Sequence, residues 1–189
     1  MIDTADLPRF AKSGIVAMVR PTQADADKLA QWPKILGAQR MQLALPWASL
    51  VAAGARLAFA CDWTGFKVPM NPAVLISKAV NRPGPQRLTL TQALRAYTAG
   101  GAYASGEEKI KGRLAVGQLA DIAVLDRDPF TVPAKELDKL NVVMTILDGK
   151  IVHRKESGWI AYLAGCSVGR DTRGGGVSKS CEYSVFEER

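Results

Sequence analysis

The stretch Arg56-Leu57-Ala58-Phe59-Ala60-Cys61-Asp62-Trp63 decides how this chain is read. It is apolar from Leu57 to Cys61, then ends on a carboxylate and a large aromatic. A short apolar run ahead of polar residues predicts a buried parallel strand whose end opens into a site. Just upstream, Trp47-Ala48-Ser49-Leu50-Val51-Ala52-Ala53 predicts a helix, and Gly54 supplies a left-handed cap that stops it. The phrase is therefore helix, glycine cap, buried strand, and an aspartate at the strand's carboxyl end. Spacing alone leaves a second reading of Asp62 open: an ordinary aspartate that begins a loop or caps the next helix.

The same phrase occurs once before. Thr4 opens a helical pattern with Leu7 and Phe10 on one face, and Pro8 is tolerated in its first turn. Gly14 closes it, and Ile15-Val16-Ala17-Met18-Val19 follows as a strand that runs into Arg20-Pro21-Thr22-Gln23. Two copies predict successive units of a parallel α/β fold. In a (β/α)₈ barrel, the strand end that carries Asp62 is where catalytic and metal-binding side chains sit. Residues 24–46 between the copies are polar, with a short helix predicted around residues 26–31.

Downstream, a helix is predicted over residues 73–80, followed by a break at Asn81-Arg82-Pro83-Gly84-Pro85. Thr89-Leu90-Thr91-Gln92 has capping-box spacing, and Leu90, Ala93, Leu94 and Tyr97 fall on one helical face. Gly100-Gly101 is read as an interruption, with one more turn at residues 102–105. From Lys111 the character changes. Residues 121–126 read as a strand, and Val142 to Val152 as a hairpin turning at Asp148-Gly149. Beyond residue 153 glycines punctuate the chain and periodicity is lost, which predicts a disordered tail. Its Arg173-Gly174-Gly175-Gly176 is a lone instance of an RNA-binding-like pattern and carries little weight.

Composition narrows the function classes. Of 189 residues 48% are hydrophobic and 23% charged, which supports a packed core. No apolar run reaches membrane-spanning length, so no membrane partner is expected. The acidic start Met1-Ile2-Asp3-Thr4-Ala5-Asp6 lacks the regions of a signal peptide, so a cytoplasmic location is expected. The net charge of +7 is spread from Arg9 to Arg189 without a dense basic run, so no nucleic-acid partner is expected. Cys61, Cys166 and Cys181 have neither metal-type spacing nor an even count. There is one histidine, His153, placed after the hairpin turn and read as an edge-strand residue rather than a ligand. Cys61 as a nucleophile would need a neighbouring base, and none is close in sequence.

Several segments together resemble amidohydrolase family 3, the YtcJ-like branch of the metal-dependent amidohydrolases. They are Asp6-Leu7-Pro8-Arg9-Phe10, Pro21-Thr22, Trp47-Ala48-Ser49-Leu50, Gly54-Ala55-Arg56-Leu57-Ala58-Phe59 and Asp62-Trp63. Leu88-Thr89-Leu90, Ala93-Leu94-Arg95-Ala96-Tyr97-Thr98, Gly117 with Leu119-Ala120-Asp121, and Leu125-Asp126-Arg127-Asp128 continue the match. The resemblance runs over residues 3–153. It implies an α/β chain made of the last βα units of a (β/α)₈ TIM barrel plus part of a small β-sandwich, followed by an irregular tail. Residues 1–107 would be the barrel part, 108–153 the sandwich strands and 154–189 the Gly-rich tail.

The resemblance also implies chemistry: hydrolysis of carbon–nitrogen bonds other than ordinary peptides, in small amide-type substrates, with zinc or another divalent metal. By that likeness Asp62 ends the last barrel strand, touches the metal and handles the proton of the attacking water. Cys61 replaces the family's usual serine before that aspartate, and Gln23 stands where relatives often carry histidine. The family's His-x-His pair and its middle-strand histidines have no counterpart here. A catalytic zinc takes about three protein ligands and an open position. Asp62 with one distant histidine does not supply that set, so the chain is expected to be inactive alone. A complementing N-terminal segment or self-association is the expected partner. The competing expectation is a non-catalytic interaction fragment that pairs through exposed barrel edges.

Overall fold

The computed structural model describes residues 1–42, 44–61 and 71–155, and Met1–Lys155 form one compact unit. The first helix, α1 (Leu7–Lys12), follows a 3₁₀ turn that the Asp3 carboxylate caps by accepting from Ala5 N at 3.0 Å. Gly14 takes φ +66°, and β1 (Val16–Val19) follows. After a 3₁₀ turn over Pro21–Ala24 come α2 (Ala26–Leu36) and α3 (Ala38–Met41). Then α4 (Trp47–Ala52) ends at Gly54, with φ +81°, and feeds β2 (Arg56–Phe59). Both glycines adopt a left-handed conformation that costs a side-chain-bearing residue.

β1 and β2 pair in parallel, with Val16 opposite Arg56 and Val19 opposite Phe59. The twofold helix–glycine–strand phrase thus gives two adjacent strands pointing the same way. Ala17, Leu57 and Ala58 are buried, and Trp47, Leu50, Ile76, Ala79, Leu88, Ala93 and Ala96 complete the main core. Most of these come from the helices α4, α5 (Pro72–Val80) and α6 (Leu90–Tyr97). α6 begins with a complete capping box. Gln92 N donates to Thr89 Oγ1 at 3.2 Å, and Thr89 N to Gln92 Oε1 at 2.9 Å.

One buried cation holds several loops. Arg82 is only 6% exposed, and its guanidinium lies 4.7 Å from the Trp47 ring centroid. It donates to the carbonyls of Leu45, Ala44 and Gln86, which ties the entry of α4 to the segment after α5. Burial lowers its pKa to about 10, so it stays charged at neutral pH.

α7 (Ala99–Ala104) follows α6 after a kink at Thr98, and it contains Gly100 and Gly101. The glycine pair therefore does not interrupt a helix, as the sequence suggested. The interruption falls at Thr98, and Gly100 is where α7 presses on the β2 backbone. α2 is also longer than predicted, since it runs through Pro33 to Leu36 before Gly37 ends it at φ +78°.

The remaining strands form an antiparallel sheet in the order β3 (Ile122–Leu125), β4 (Val142–Leu147), β5 (Lys150–Arg154). β4 and β5 turn at Asp148 (φ +49°) and Gly149 (φ +76°), a turn with both central residues left-handed, as an Asp-Gly hairpin requires. A 3₁₀ turn over Ala134–Lys139 buries Leu137 beside Ala73 and Leu140. Asn81 Nδ2 donates to Ala134 O at 2.8 Å, which links this turn to the end of α5. No helix among the described residues is long and apolar enough to cross a membrane.

Candidate active site at the strand carboxyl ends

Parallel pairing puts the carboxyl ends of neighbouring strands side by side. Ala60 N donates to Val19 O at 2.9 Å, so pairing continues one residue beyond β2. From there β1 releases Arg20 and the turn over Pro21–Ala24, and β2 releases Ala60 and Cys61. Cys61 is half-buried and carries a free thiol. Asp62, the residue that the sequence assigns to catalysis and metal contact, lies outside the described residues, as does Trp63. Its neighbour Cys61 is the last described position on that side of the site.

The walls of this end are built from both strands and from α6. Pro21 and Thr22 are buried, and Lys28 Nζ donates to Thr22 O at 3.2 Å. With its amide oxygen turned toward Arg20, Gln23 accepts from Nη2 at 3.0 Å and from Nε at 3.3 Å. Asp25 pairs with Lys78, which anchors the turn after β1 to α5. Phe59 at the end of β2 meets Tyr97 edge-on, with ring centroids 6.4 Å apart and planes at 83°. Burial, and secondarily the charge of Cys61, raises the Tyr97 phenol above its ordinary pKa. Tyr97 therefore stays a neutral hydroxyl at physiological pH.

Sequence reasoning placed Tyr97 only on the apolar face of a helix. Nothing in the spacing marked it as a neighbour of Phe59, because that contact depends on how α6 packs against β2. His153 is where the sequence put it: on β5, exposed, opposite Thr145, in the antiparallel sheet and not in the β1–β2 pair.

Among the described residues no group of three or more His, Cys, Asp or Glu side chains comes together in a way that could hold a metal ion. The described residues do not fit a catalytic metal by themselves.

Comparison with known proteins gives a consistent picture. The model of the amidohydrolase family matches residues 1–153. YtcJ of Bacillus subtilis (strain 168), an amidohydrolase by name, is 33% identical over 169 residues, which cover 82% of this chain and 31% of YtcJ. The N-substituted formamide deformylase of Arthrobacter pascens is 32% identical over 118 residues, 58% of this chain and 21% of that enzyme. Among solved structures, an uncharacterized metal-dependent hydrolase from Pyrococcus furiosus superposes with a TM-score of 0.59 at 27% identity. That match covers 69% of this chain and 27% of the hydrolase. The chain thus spans less than a third of the length of these relatives.

Proposed function

Since this chain belongs to the amidohydrolase family, we propose that it supplies the closing wall of a hydrolase site for carbon–nitrogen bonds other than ordinary peptides. The observation that carries this reading is the parallel β1–β2 pair, whose carboxyl ends bring Cys61 and the Arg20–Gln23 segment to one edge. Asp62 follows Cys61 directly and is assigned the proton-accepting role toward an attacking water. It is also assigned the contact with the metal. The zinc or other divalent ion would need its remaining ligands from polypeptide outside the described residues. The described donors do not assemble around such an ion by themselves.

In this reading residues 1–107 are the end of a (β/α)₈ barrel, 108–153 are strands of a small sandwich, and 154–189 are a Gly-rich tail. The substrate is a small amide-type molecule. The formamide deformylase similarity makes N-formyl and N-acyl amines the first class to assay. Among the described residues β1 and β2 each pair on one side only, and Met18 on β1 is 63% exposed. Both features suit a complementing segment that would extend the sheet.

The test is reconstitution. The chain is mixed with the amino-terminal part of YtcJ, and hydrolysis of N-formyl and N-acyl amines is followed in the presence of zinc. Turnover that appears only on mixing and disappears with Asp62→Asn supports the assignment. Turnover that Asp62→Asn leaves unchanged removes Asp62 from the chemistry.

A further inference from the structure

A groove of about 730 Å³ opens between the helices and the antiparallel sheet, and Tyr97, which meets Phe59 of β2 on the strand-end side, is among its lining residues. Among the described residues, none of its lining comes from β1, β2, the turn after β1 or residues 60–61. Leu90 and Leu94 of α6 line it from the helical side, and Ile122, Leu125, Leu140 and Val142 from the sheet side. Its size lies within the range of about 300–1,000 Å³ that small-molecule pockets occupy, and apolar walls with few polar groups are usual there.

The charges around it are unequal in standing. Lys111 is paired with Glu107 at 2.6 Å. The Asp121 carboxylate accepts from Asp148 N at 2.9 Å. The hydroxyls of Thr98 and Ser105 donate to helix carbonyls, Thr98 to Leu94 O at 2.9 Å and Ser105 to Ala102 O at 3.1 Å. Arg113 lines the groove, and among the described residues it has no hydrogen-bond, ion-pair or ring partner. An apolar groove of this volume with one guanidinium that has no partner among the described residues is complementary to a ligand with an apolar tail and a single anionic head.

The geometry points to a binding site for a long-chain carboxylate. Its alkyl chain lies along the α6 and sheet walls, and its carboxylate meets Arg113. A second copy of the chain fits this groove less well, since each copy carries a net charge of +7 and would bring further cations to Arg113.

The experiment uses the full 189-residue chain and dansyl-labelled undecanoic acid, with its methyl ester as the uncharged counterpart. The acid should bind saturably at one site, and unlabelled dodecanoate should displace it better than octanoate does. Arg113→Glu should weaken the acid roughly tenfold and leave the ester unchanged, because only the acid loses a charge-assisted contact. Leu94→Trp, which fills the floor, should weaken both probes, with far-UV circular dichroism confirming that each variant is folded. No saturable binding would overturn the proposal, as would equal weakening of acid and ester by Arg113→Glu. So would light scattering that shows a dimer whose dissociation is required before either probe binds, since that would put a second copy in the groove.

Discussion

A β-carbon on Gly100 would stand 2.0 Å from the backbone carbonyl oxygen of Leu57. At this position α7 therefore rests directly on the β2 backbone. This contact fixes the helical layer against the strand that leads to Cys61 and Asp62.

Gly100→Ala should accordingly destabilise the fold at the upper end of the ~1–3 kcal/mol typical of overpacking. The neighbouring glycine is the control. A β-carbon on Gly101 meets nothing within 4 Å, so Gly101→Ala should be neutral or should stabilise α7 by up to about 1 kcal/mol. Urea denaturation midpoints of the two variants should move in opposite directions or differ widely. Equal midpoints would mean that α7 does not press on β2 as described.

Arg82→Met tests the buried cation. It keeps much of the side-chain volume over Trp47 but abandons the carbonyls of Ala44, Leu45 and Gln86. Buried acceptors left without a donor cost about 1–3 kcal/mol each, so a loss of about 3 kcal/mol is expected in chemical denaturation. Arg82→Lys should recover little of it, because a point charge cannot reach three carbonyls and stack on the indole at once. Full rescue by lysine would show that charge alone is what the site needs.

Asp126 gives a pH dependence. Burial by itself would raise its carboxyl, but the Asn141 side-chain amide, the Asn141 backbone N–H and then Arg127 outweigh that effect and hold it below 3.8. Asn141 N donates to Oδ1 at 3.0 Å and Asn141 Nδ2 to Oδ2 at 2.9 Å. A carboxyl with a depressed folded pKa stabilises the fold above its unfolded value, and that contribution fades as pH falls through the folded value. Asp126→Asn should therefore cost stability at pH 7, by under about 1 kcal/mol for a group still partly open to solvent. The gap between variant and parent should close below pH 3.8. A gap that stays constant down to acid pH would remove the carboxylate's charge from the explanation.

Much of this fold was legible because local rules and packing agreed. Gly14 and Gly54 needed positive φ, Thr89 and Gln92 had box spacing, and Asp148-Gly149 could hardly avoid a hairpin. The repeated helix–glycine–strand phrase gave the parallel pair. The misreadings occurred where packing overrode a local signal. Gly100-Gly101 looked like a breaker because sequence cannot show the Leu57 carbonyl that excludes a side chain there. The short helix expected around residues 26–31 instead runs on through Pro33 to Leu36, before Gly37 ends it. The bulge between Thr145 and Ile146 had no sequence mark. For the site, the strand that leads to Asp62 was readable, but the Phe59–Tyr97 contact was not, since it joins residues from elements far apart in the chain.

The most direct test of the central claim, that this chain contributes Asp62 to a carbon–nitrogen hydrolase site without assembling the metal by itself, is one measurement on purified protein. Zinc is determined by elemental analysis of the 189-residue chain, and hydrolysis of N-formyl amines, N-acyl amino acids and cyclic amides is assayed on the same sample. The expected result is zinc well below one equivalent and no turnover, because a catalytic zinc takes about three protein ligands and the described residues bring no such group together. Stoichiometric zinc with turnover abolished by Asp62→Asn would contradict the account and show that a complete site forms within this chain.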